Sequence, residues 1–271
     1  MTRSATLAEL VRVALCRRAF GALVWLAICG AAGCSAPAAD AGNPMLPRRV
    51  VDSNQNLALS FDGMGDYLTT ATAQFPIGSG TQTWSLWFEL EDVTTRQALL
   101  TLRKDFDSGV ELGVMGGALT AWHVYGDRLL AVGSAPLDVG KWHHAAYRFD
   151  TMSATLFVDG KAVATAINTT SQRTPTTCWI GSLDGTQHLL HGSIDDVRVF
   201  NVARSDEQIA SEASGNFSAV DPGLVLELPL NEASGAVVYD HSTHENDGLL
   251  GDGIPVDMPA RVVSGAPLDA D

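Results

Sequence analysis

The histidines and serines of this sequence are not spaced as catalytic groups. His143 and His144 are adjacent and lack the glutamate and the helical spacing of a zinc-protease motif. No serine stands in a Gly-x-Ser-x-Gly turn, and no glycine-rich loop ends in Lys-Ser or Lys-Thr to hold a phosphate. The sequence therefore predicts that the protein is not an enzyme and has no catalytic residues.

Aromatic side chains that point away from the core are the candidates for ligand binding, because a sugar needs an aromatic platform with polar neighbours. Strand alternation points Trp87 away from the face that Trp84 and Phe88 share. Trp122 and Tyr125 lie close together in another strand segment. We predict that Trp87, Trp122 and Tyr125 bind the ligand. The alternative is ordinary burial of these rings in a second face of the protein.

Asp195 is a further residue that could do chemistry. In a regular strand it shares a face with Val197 and Val199. A carboxylate on an apolar face is costly unless it is hydrogen-bonded or binds a cation. Both explanations stay open at this point.

The segments that carry these residues follow a period of two. Short alternating runs separated by Gly-rich turns predict an all-β, antiparallel β-sandwich. Asp159-Gly160 predicts a type I′ hairpin, and Ser205 with Gln208 predicts a capped short helix over 205–213. We place the strands at 57–61, 67–70, 83–90, 98–102, 110–114, 119–125, 129–132, 142–149, 156–158, 161–166, 178–180, 193–200 and 224–230.

The composition excludes one class of partner. The chain has 271 residues, 46% of them hydrophobic, which is enough to bury a core. Its formal net charge is −14, and no dense cluster of Lys and Arg offers a face to phosphates. We therefore expect no nucleic acid as a partner.

The pattern of the N-terminal segment predicts an export signal. Four arginines precede an uncharged apolar run over 19–32, which is shorter than the ~20 residues of a membrane span. The run ends in Ala32-Gly33-Cys34, which resembles the lipobox of bacterial lipoproteins, whose cysteine carries lipid. The resemblance implies a signal peptide over 1–33, a membrane anchor through Cys34 and a flexible tether over 34–56. The alternative is an ordinary secretory peptide with an incidental Cys34.

A family resemblance is carried by five segments, namely 59–63, 66–68, 141–146, 154–161 and 192–201. Together these segments resemble the LamG-like jelly-roll domains of the concanavalin A-like lectin/glucanase superfamily. The resemblance implies a jelly-roll sandwich, and it implies a structural Ca²⁺ near Asp195 with Asp62 as the first-strand carboxylate. Two carboxylates are fewer than the six to eight oxygens that calcium takes, so a turn-capping Asp62 and a hydrogen-bonded Asp195 remain the alternative. The glucanases of the superfamily carry Glu-x-Asp-x-x-Glu, whereas Glu89-Leu90-Glu91-Asp92 breaks that spacing.

These observations predict an exported, lipid-anchored, non-catalytic binding module of the bacterial cell envelope, with its body in the periplasm or outside the cell. We expect the sandwich over 57–215 and a C-terminal strand and tail over 216–271 that pack on it. The first choice of ligand is a carbohydrate. A protein-interaction or scaffold module of the envelope is the alternative, and a degenerate glycoside hydrolase is a third interpretation.

Overall fold

The computed structural model describes residues 55–75, 80–105, 108–123, 128–133, 136–167, 175–217 and 221–268. The predicted signal peptide, Cys34, most of the tether and Tyr125 lie outside these residues. Within the described ranges no helix is long and apolar enough to span a membrane. The strands are β1 (Leu57–Asp62), β2 (Leu68–Thr70), β3 (Gln82–Leu90), β4 (Gln97–Asp105), β5 (Ser108–Met115), β6 (Ala118–His123), β7 (Arg128–Val132), β8 (Trp142–Phe149), β9 (Ser153–Val158), β10 (Lys161–Ile167), β11 (Thr177–Ile180), β12 (His191–Phe200), β13 (Leu224–Leu228), β14 (Val237–Val238), β15 (Gly248–Leu250) and β16 (Ala260–Val263).

Two antiparallel sheets form the predicted sandwich. The first sheet has the strand order β10-β9-β8-β3-β12-β1-β16, and β13 pairs with the part of β12 that β1 leaves free. The second sheet has the order β14-β15-β2-β11-β4-β5-β6-β7. Because strands that are distant in sequence lie side by side, each sheet depends on contacts that no local segment could form alone.

One apolar core lies between the two sheets. Trp84, Leu86 and Phe88 of β3 point into it from the first sheet, and Leu112 of β5 and Ile180 of β11 point into it from the second. All five side chains are completely buried. This arrangement follows from the period-two pattern, since alternate residues of each strand face one side of the sheet.

The two local signals read from the sequence are confirmed. Asp159 and Gly160 connect β9 and β10 with φ of 48° and 73°, as a type I′ turn requires. The helix α1 (Asp206–Glu212) begins after Ser205, whose hydroxyl accepts from the Gln208 amide, and the Gln208 side chain accepts in turn from the Ser205 amide. Ile209 of α1 packs on the outer face of the first sheet.

The C-terminal segment contributes strands to both sheets. β13 pairs with β12 and β16 pairs with β1, so two strands extend the first sheet. β15 pairs with β2 and β14 pairs with β15, so two strands extend the second. β13 ends at Leu228, immediately before Pro229, which has no amide hydrogen for a ladder. The segment is thus more than one strand and a tail, and three of its strands were not predicted from the sequence.

A β-bulge in β12 changes the face of Asp195. Asp195 lies opposite Trp87 and Arg198 lies opposite Ser85, so two residues of β12 face the single Leu86 between them. Asp196 takes the positive φ of 45° within the bulge. The prediction that Asp195 shares the apolar face of Val197 is therefore wrong. Asp195 points to the outer face of the first sheet, as its neighbour Trp87 does.

Candidate functional site

Two aromatic rings meet on the outer face of the second sheet. Trp179 stands in β11 between the buried Cys178 and Ile180, so strand alternation turns its ring away from the core. Tyr67 precedes the buried Leu68 of β2, which pairs with Ile180, and it turns outward in the same way. The ring centroids of Tyr67 and Trp179 lie 5.2 Å apart with an interplanar angle of 52°.

The loop after β11 is held against these rings by its own hydrogen bonds. The Ser182 hydroxyl accepts from the amides of Asp184 and Gly185 at 3.1 and 2.6 Å. Gly185 has a φ of +81°, and a Cβ there would lie 3.0 Å from the Trp179 ring and 3.3 Å from the Tyr67 ring. Only glycine takes this conformation and this close approach without strain.

Asp184 is the anchor of the same loop. Its carboxylate accepts from the amide and hydroxyl of Thr186 and from both nitrogens of Gln187, while Arg103 Nη1 of β4 lies 3.3 Å from Asp184 Oδ2. Burial alone would raise the pKa of Asp184, but these hydrogen bonds and Arg103 lower it below its usual range. Asp184 is therefore an ionised, well-held carboxylate.

Two further carboxylates come from the short turns after β15. The chain forms short 3-10 helices at Gly251–Gly253 and Pro255–Asp257. The backbone of these turns forms hydrogen bonds with both the amide and the carbonyl of Tyr67. The Gly251 amide donates to the Tyr67 carbonyl at 2.8 Å, and the Tyr67 amide donates to the Asp257 carbonyl at 3.3 Å. Burial, then Asp252 and Asp257, raise the pKa of the Tyr67 phenol to about 12. The phenol thus keeps its proton, and the hydrogen bond that it shares with Asp252 contributes to this shift.

These segments enclose an open depression, which we call the aromatic cleft. Its volume of about 520 Å³ falls within the ~300–1,000 Å³ of small-molecule sites. Its lining contains the partly exposed ring of Trp179, the Tyr67 ring with 8% exposure, three carboxylates, and Met64 with 81% exposure. The lining residues are Met64, Gly65, Tyr67, Trp179, Asp184, Gly185, Thr186, Leu189, Asp252 and Asp257.

The rings predicted as ligand platforms do not line the cleft. Trp87 is 4% exposed on the outer face of the first sheet, where its ring meets the edge of His144 and the C-terminal segment lies nearby. Trp122 is 9% exposed on β6, with the guanidinium of Arg96 3.8 Å above its ring. The alternative of ordinary burial therefore describes Trp87 and Trp122, and Tyr125 lies outside the described residues.

The two predicted metal ligands lie far apart. Asp62 is the ladder partner of His191 and Leu59 is the partner of Ile194, so four residue steps separate Asp62 from the level of Asp195. At ~3.4 Å per step this is about 13 Å, too far for one calcium ion to bind both carboxylates. Across the described ranges, no three His, Cys, Asp or Glu residues are grouped as a metal site. The expected structural calcium itself stays a prediction, without Asp62 and Asp195 as a shared pair of ligands.

Each of these carboxylates has hydrogen-bond partners instead. Asp62 Oδ1 accepts from the Met64 amide at 2.7 Å and so caps its turn, as the alternative expected. Asp195 Oδ1 accepts from the Asp196 amide at 2.8 Å, and Asp195 Oδ2 accepts from the Ser264 hydroxyl at 2.5 Å.

The cleft residues were not singled out from the sequence, although a signal for two of them exists. The sequence pattern places Tyr67 and Trp179 in strands and indicates no role in binding for them. The same alternation that points Trp87 outward also points these two rings outward. The carboxylates of Asp252 and Asp257 offered no such signal, because they belong to turns whose position depends on the pairing of β15 with β2.

Comparison with known proteins identifies the superfamily. Residues 62–210 match the Laminin_G_3 family of the concanavalin A-like lectin/glucanases superfamily. Because the match covers more than half of the chain, the protein belongs to this superfamily, as the resemblance in its sequence implied. No curated protein matches the sequence.

Solved structures with a similar fold agree with this assignment. A candidate carbohydrate-binding protein from Bacteroides ovatus is similar over 80% of this chain, with a TM-score of 0.60 and 17% identity. This chain covers 62% of that structure. A heptameric SAP-like pentraxin from Limulus polyphemus is similar over 73% of this chain and 96% of its own, with a TM-score of 0.50 and 13% identity. At such identities the likeness establishes the fold.

Proposed function

We propose that the protein is a non-catalytic carbohydrate-binding module and that the aromatic cleft is its sugar site. The observation that carries the proposal is the partly exposed ring of Trp179, packed on the buried Tyr67, in the lining of an open cavity that also contains three carboxylates. A sugar presents apolar C–H groups to a ring face and hydroxyl donors to carboxylates. The similar fold of the Bacteroides ovatus carbohydrate-binding candidate supports the same function.

The state of Asp184 supports binding rather than hydrolysis. A general acid needs a raised pKa so that it carries a proton at neutral pH. The pKa of Asp184 is lowered, and its oxygens are occupied by Thr186, Gln187 and Arg103. We expect that a bound oligosaccharide is recovered intact after incubation, as measured by the release of reducing ends.

The test of the sugar site is the binding of a glycan array by the mature domain and by the Trp179→Ala variant. If a sugar covers about 50 Å² of the ring, the loss at ~25 cal/mol/Å² is about 1.3 kcal/mol, or close to tenfold in affinity. Trp142→Ala is the matched control, because Trp142 is a partly exposed tryptophan of the first sheet, outside the cleft. An equal loss in both variants, or no glycan bound by the wild type, would contradict the proposal.

We propose further that the module is exported and anchored by lipid on Cys34. The support is the sequence alone, namely the apolar run and the Ala32-Gly33-Cys34 site. Acyl chains hold a protein at a membrane through ~0.8 kcal/mol per buried CH₂. Cys34→Ser is expected to release the protein from the detergent phase and to lower its mass by the lipid. If the variant partitions as the wild type does, and its mass differs from that of the wild type only by the exchange of sulfur for oxygen, Cys34 carries no lipid anchor.

A protein partner is the second candidate function. Ile254 and Val256, in the turns that also supply Asp252 and Asp257, expose 48% and 80% of their side chains next to the cleft. Apolar side chains in such a position favour a contact with another protein. If Val256→Ser abolished capture of an envelope protein while glycan binding persisted, the scaffold function would be supported.

A further inference from the structure

We infer that the aromatic cleft selects its sugar by charge: it binds acidic sugars more weakly, and amino sugars more tightly, than the matching neutral sugars. This inference rests on the proposed function, because it names the class of ligand for the same site. Two features of the cleft lead to it, namely the sign of its charges and the hydrogen bonds that its carboxylates still lack.

The charged groups of the cleft are all of one sign. Asp184, Asp252 and Asp257 line the cavity, and its described lining contains no Lys, Arg or His. Arg103 lies behind Asp184 with 9% of its side chain exposed, so it offsets that one carboxylate. Asp252 and Asp257 form no ion pair within the described part of the chain, and both act on the pKa of Tyr67. A ligand in the cleft therefore meets uncompensated negative charge.

The free hydrogen-bonding groups of the cleft carboxylates also favour a ligand that donates hydrogen bonds. The carboxylate of Asp184 is already occupied by its own loop, and Asp252 Oδ1 accepts from the Thr69 hydroxyl at 3.1 Å. The carboxylate of Asp257 is half-buried and accepts no hydrogen bond from the described residues. Ionised carboxylates only accept. The ligand must therefore bring donors, which are hydroxyl groups in a neutral sugar and an ammonium group in an amino sugar.

An acidic sugar has the opposite properties. Its carboxylate brings a further acceptor and a like charge to a site whose hydroxyl donors, Thr186 and Tyr67, already donate to its own carboxylates. Two unit charges about 4 Å apart in water change an affinity by roughly fivefold, and more where the site excludes solvent. The effect weakens as salt rises, because exposed charges are screened over ~10 Å at 0.1 M.

The experiment compares matched sugars on one glycan array. For each of the gluco and galacto series, the array carries the neutral hexose, the hexosamine with a free amine and the hexuronic acid, and it is read at low and high salt. We expect the wild type to bind the amine at least about fivefold more tightly than the neutral sugar, and the acid at least about fivefold more weakly. The double variant Asp252→Asn, Asp257→Asn keeps the shapes of both side chains and is expected to remove most of this ranking.

Glu207→Gln is the matched control, because Glu207 is an exposed carboxylate of α1 on the other sheet. It should leave the ranking unchanged. Wild-type binding of the hexuronic acids with an affinity equal to or above that of the neutral sugars, lost in Trp179→Ala, would overturn the charge selectivity and leave the sugar site standing. A ranking that survives the double variant would also overturn it. A wild type that binds no glycan would overturn both the function and the inference.

Discussion

Asp195→Asn tests a buried carboxylate whose pKa lies far above its usual value. Asp195 is completely buried on the outer face of the first sheet, beneath the segment that holds Ser264. Its two oxygens accept from the Asp196 amide and the Ser264 hydroxyl, and no cation pairs with it among the described residues. Burial raises its pKa from 3.8 to about 7, with the neighbouring Asp196 adding to the shift and the hydrogen bonds from Ser264 and Asp196 opposing it.

This shift makes the free energy of unfolding depend on pH with a definite sign. Between about pH 4 and pH 7 the native Asp195 holds a proton that the unfolded chain has released. The native state therefore binds more protons, and stability falls as the pH rises through this window. From pH 5 to about pH 7 the loss is two pH units at 1.36 kcal/mol each, or about 2.7 kcal/mol. Above pH 7 the full cost of the buried charge is present.

Asparagine keeps the shape and the acceptor oxygen of Asp195 but carries no charge. We expect the difference in unfolding free energy between Asp195→Asn and wild type to shift in favour of the variant by about 2.7 kcal/mol between pH 5 and pH 8. Urea denaturation followed by tryptophan fluorescence measures this difference, with EDTA and with calcium. The burial of Glu212 also raises a pKa, to about 7, but Glu212 is present in both proteins and cancels in the comparison.

Asp138→Asn is the control, because Lys141 lowers the pKa of the exposed Asp138 and the variant should show no gain at high pH. Parallel pH profiles of wild type and Asp195→Asn would refute the reasoning. A wild type that calcium stabilises at pH 8, with no such gain in Asp195→Asn, would instead show that Asp195 is ionised and binds a cation.

Two further predictions concern the cleft and the C-terminal segment. Gly185→Ala places a Cβ 3.0 Å from the Trp179 ring at a φ of +81°. We expect this strain to lower the free energy of unfolding by about 1–3 kcal/mol, to lower the melting temperature by several degrees and to weaken glycan binding. Unchanged melting and unchanged binding would show that the loop is free to move. Truncation after Asn216 removes β13–β16, including the buried Leu226 and Leu228. At ~1.5–3 kcal/mol per buried side chain, the lost burial approaches the whole free energy of unfolding of a domain. We therefore expect the cooperative unfolding transition measured by calorimetry to disappear. An unchanged transition would contradict a structural role for the segment.

The sequence by itself determined the features that depend on near neighbours. Period-two alternation gave the strands of the sandwich, Asp159-Gly160 gave a hairpin because both residues must take a positive φ, and Ser205 with Gln208 gave a helix start because their side chains satisfy amides within one turn. These signals hold because the groups that interact lie within a few residues of one another. The sandwich class followed from them, whereas the superfamily followed from the resemblance of segments such as 59–63 and 192–201 to LamG-like domains.

Tertiary structure alone decided which outward-facing residues meet solvent and which meet each other. Trp87 and Trp179 alternate outward in the same way, yet Trp87 is buried and Trp179 lines a cavity. Gly265 packs against Trp142 on the face of Trp87, because β16 pairs with β1 and brings the segment after it across that face. The face of Asp195 was decided by a bulge opposite β3, and the cleft by the pairing of β2 with β11 and β15. Such contacts join segments more than a hundred residues apart, so no local pattern of residue types encodes them.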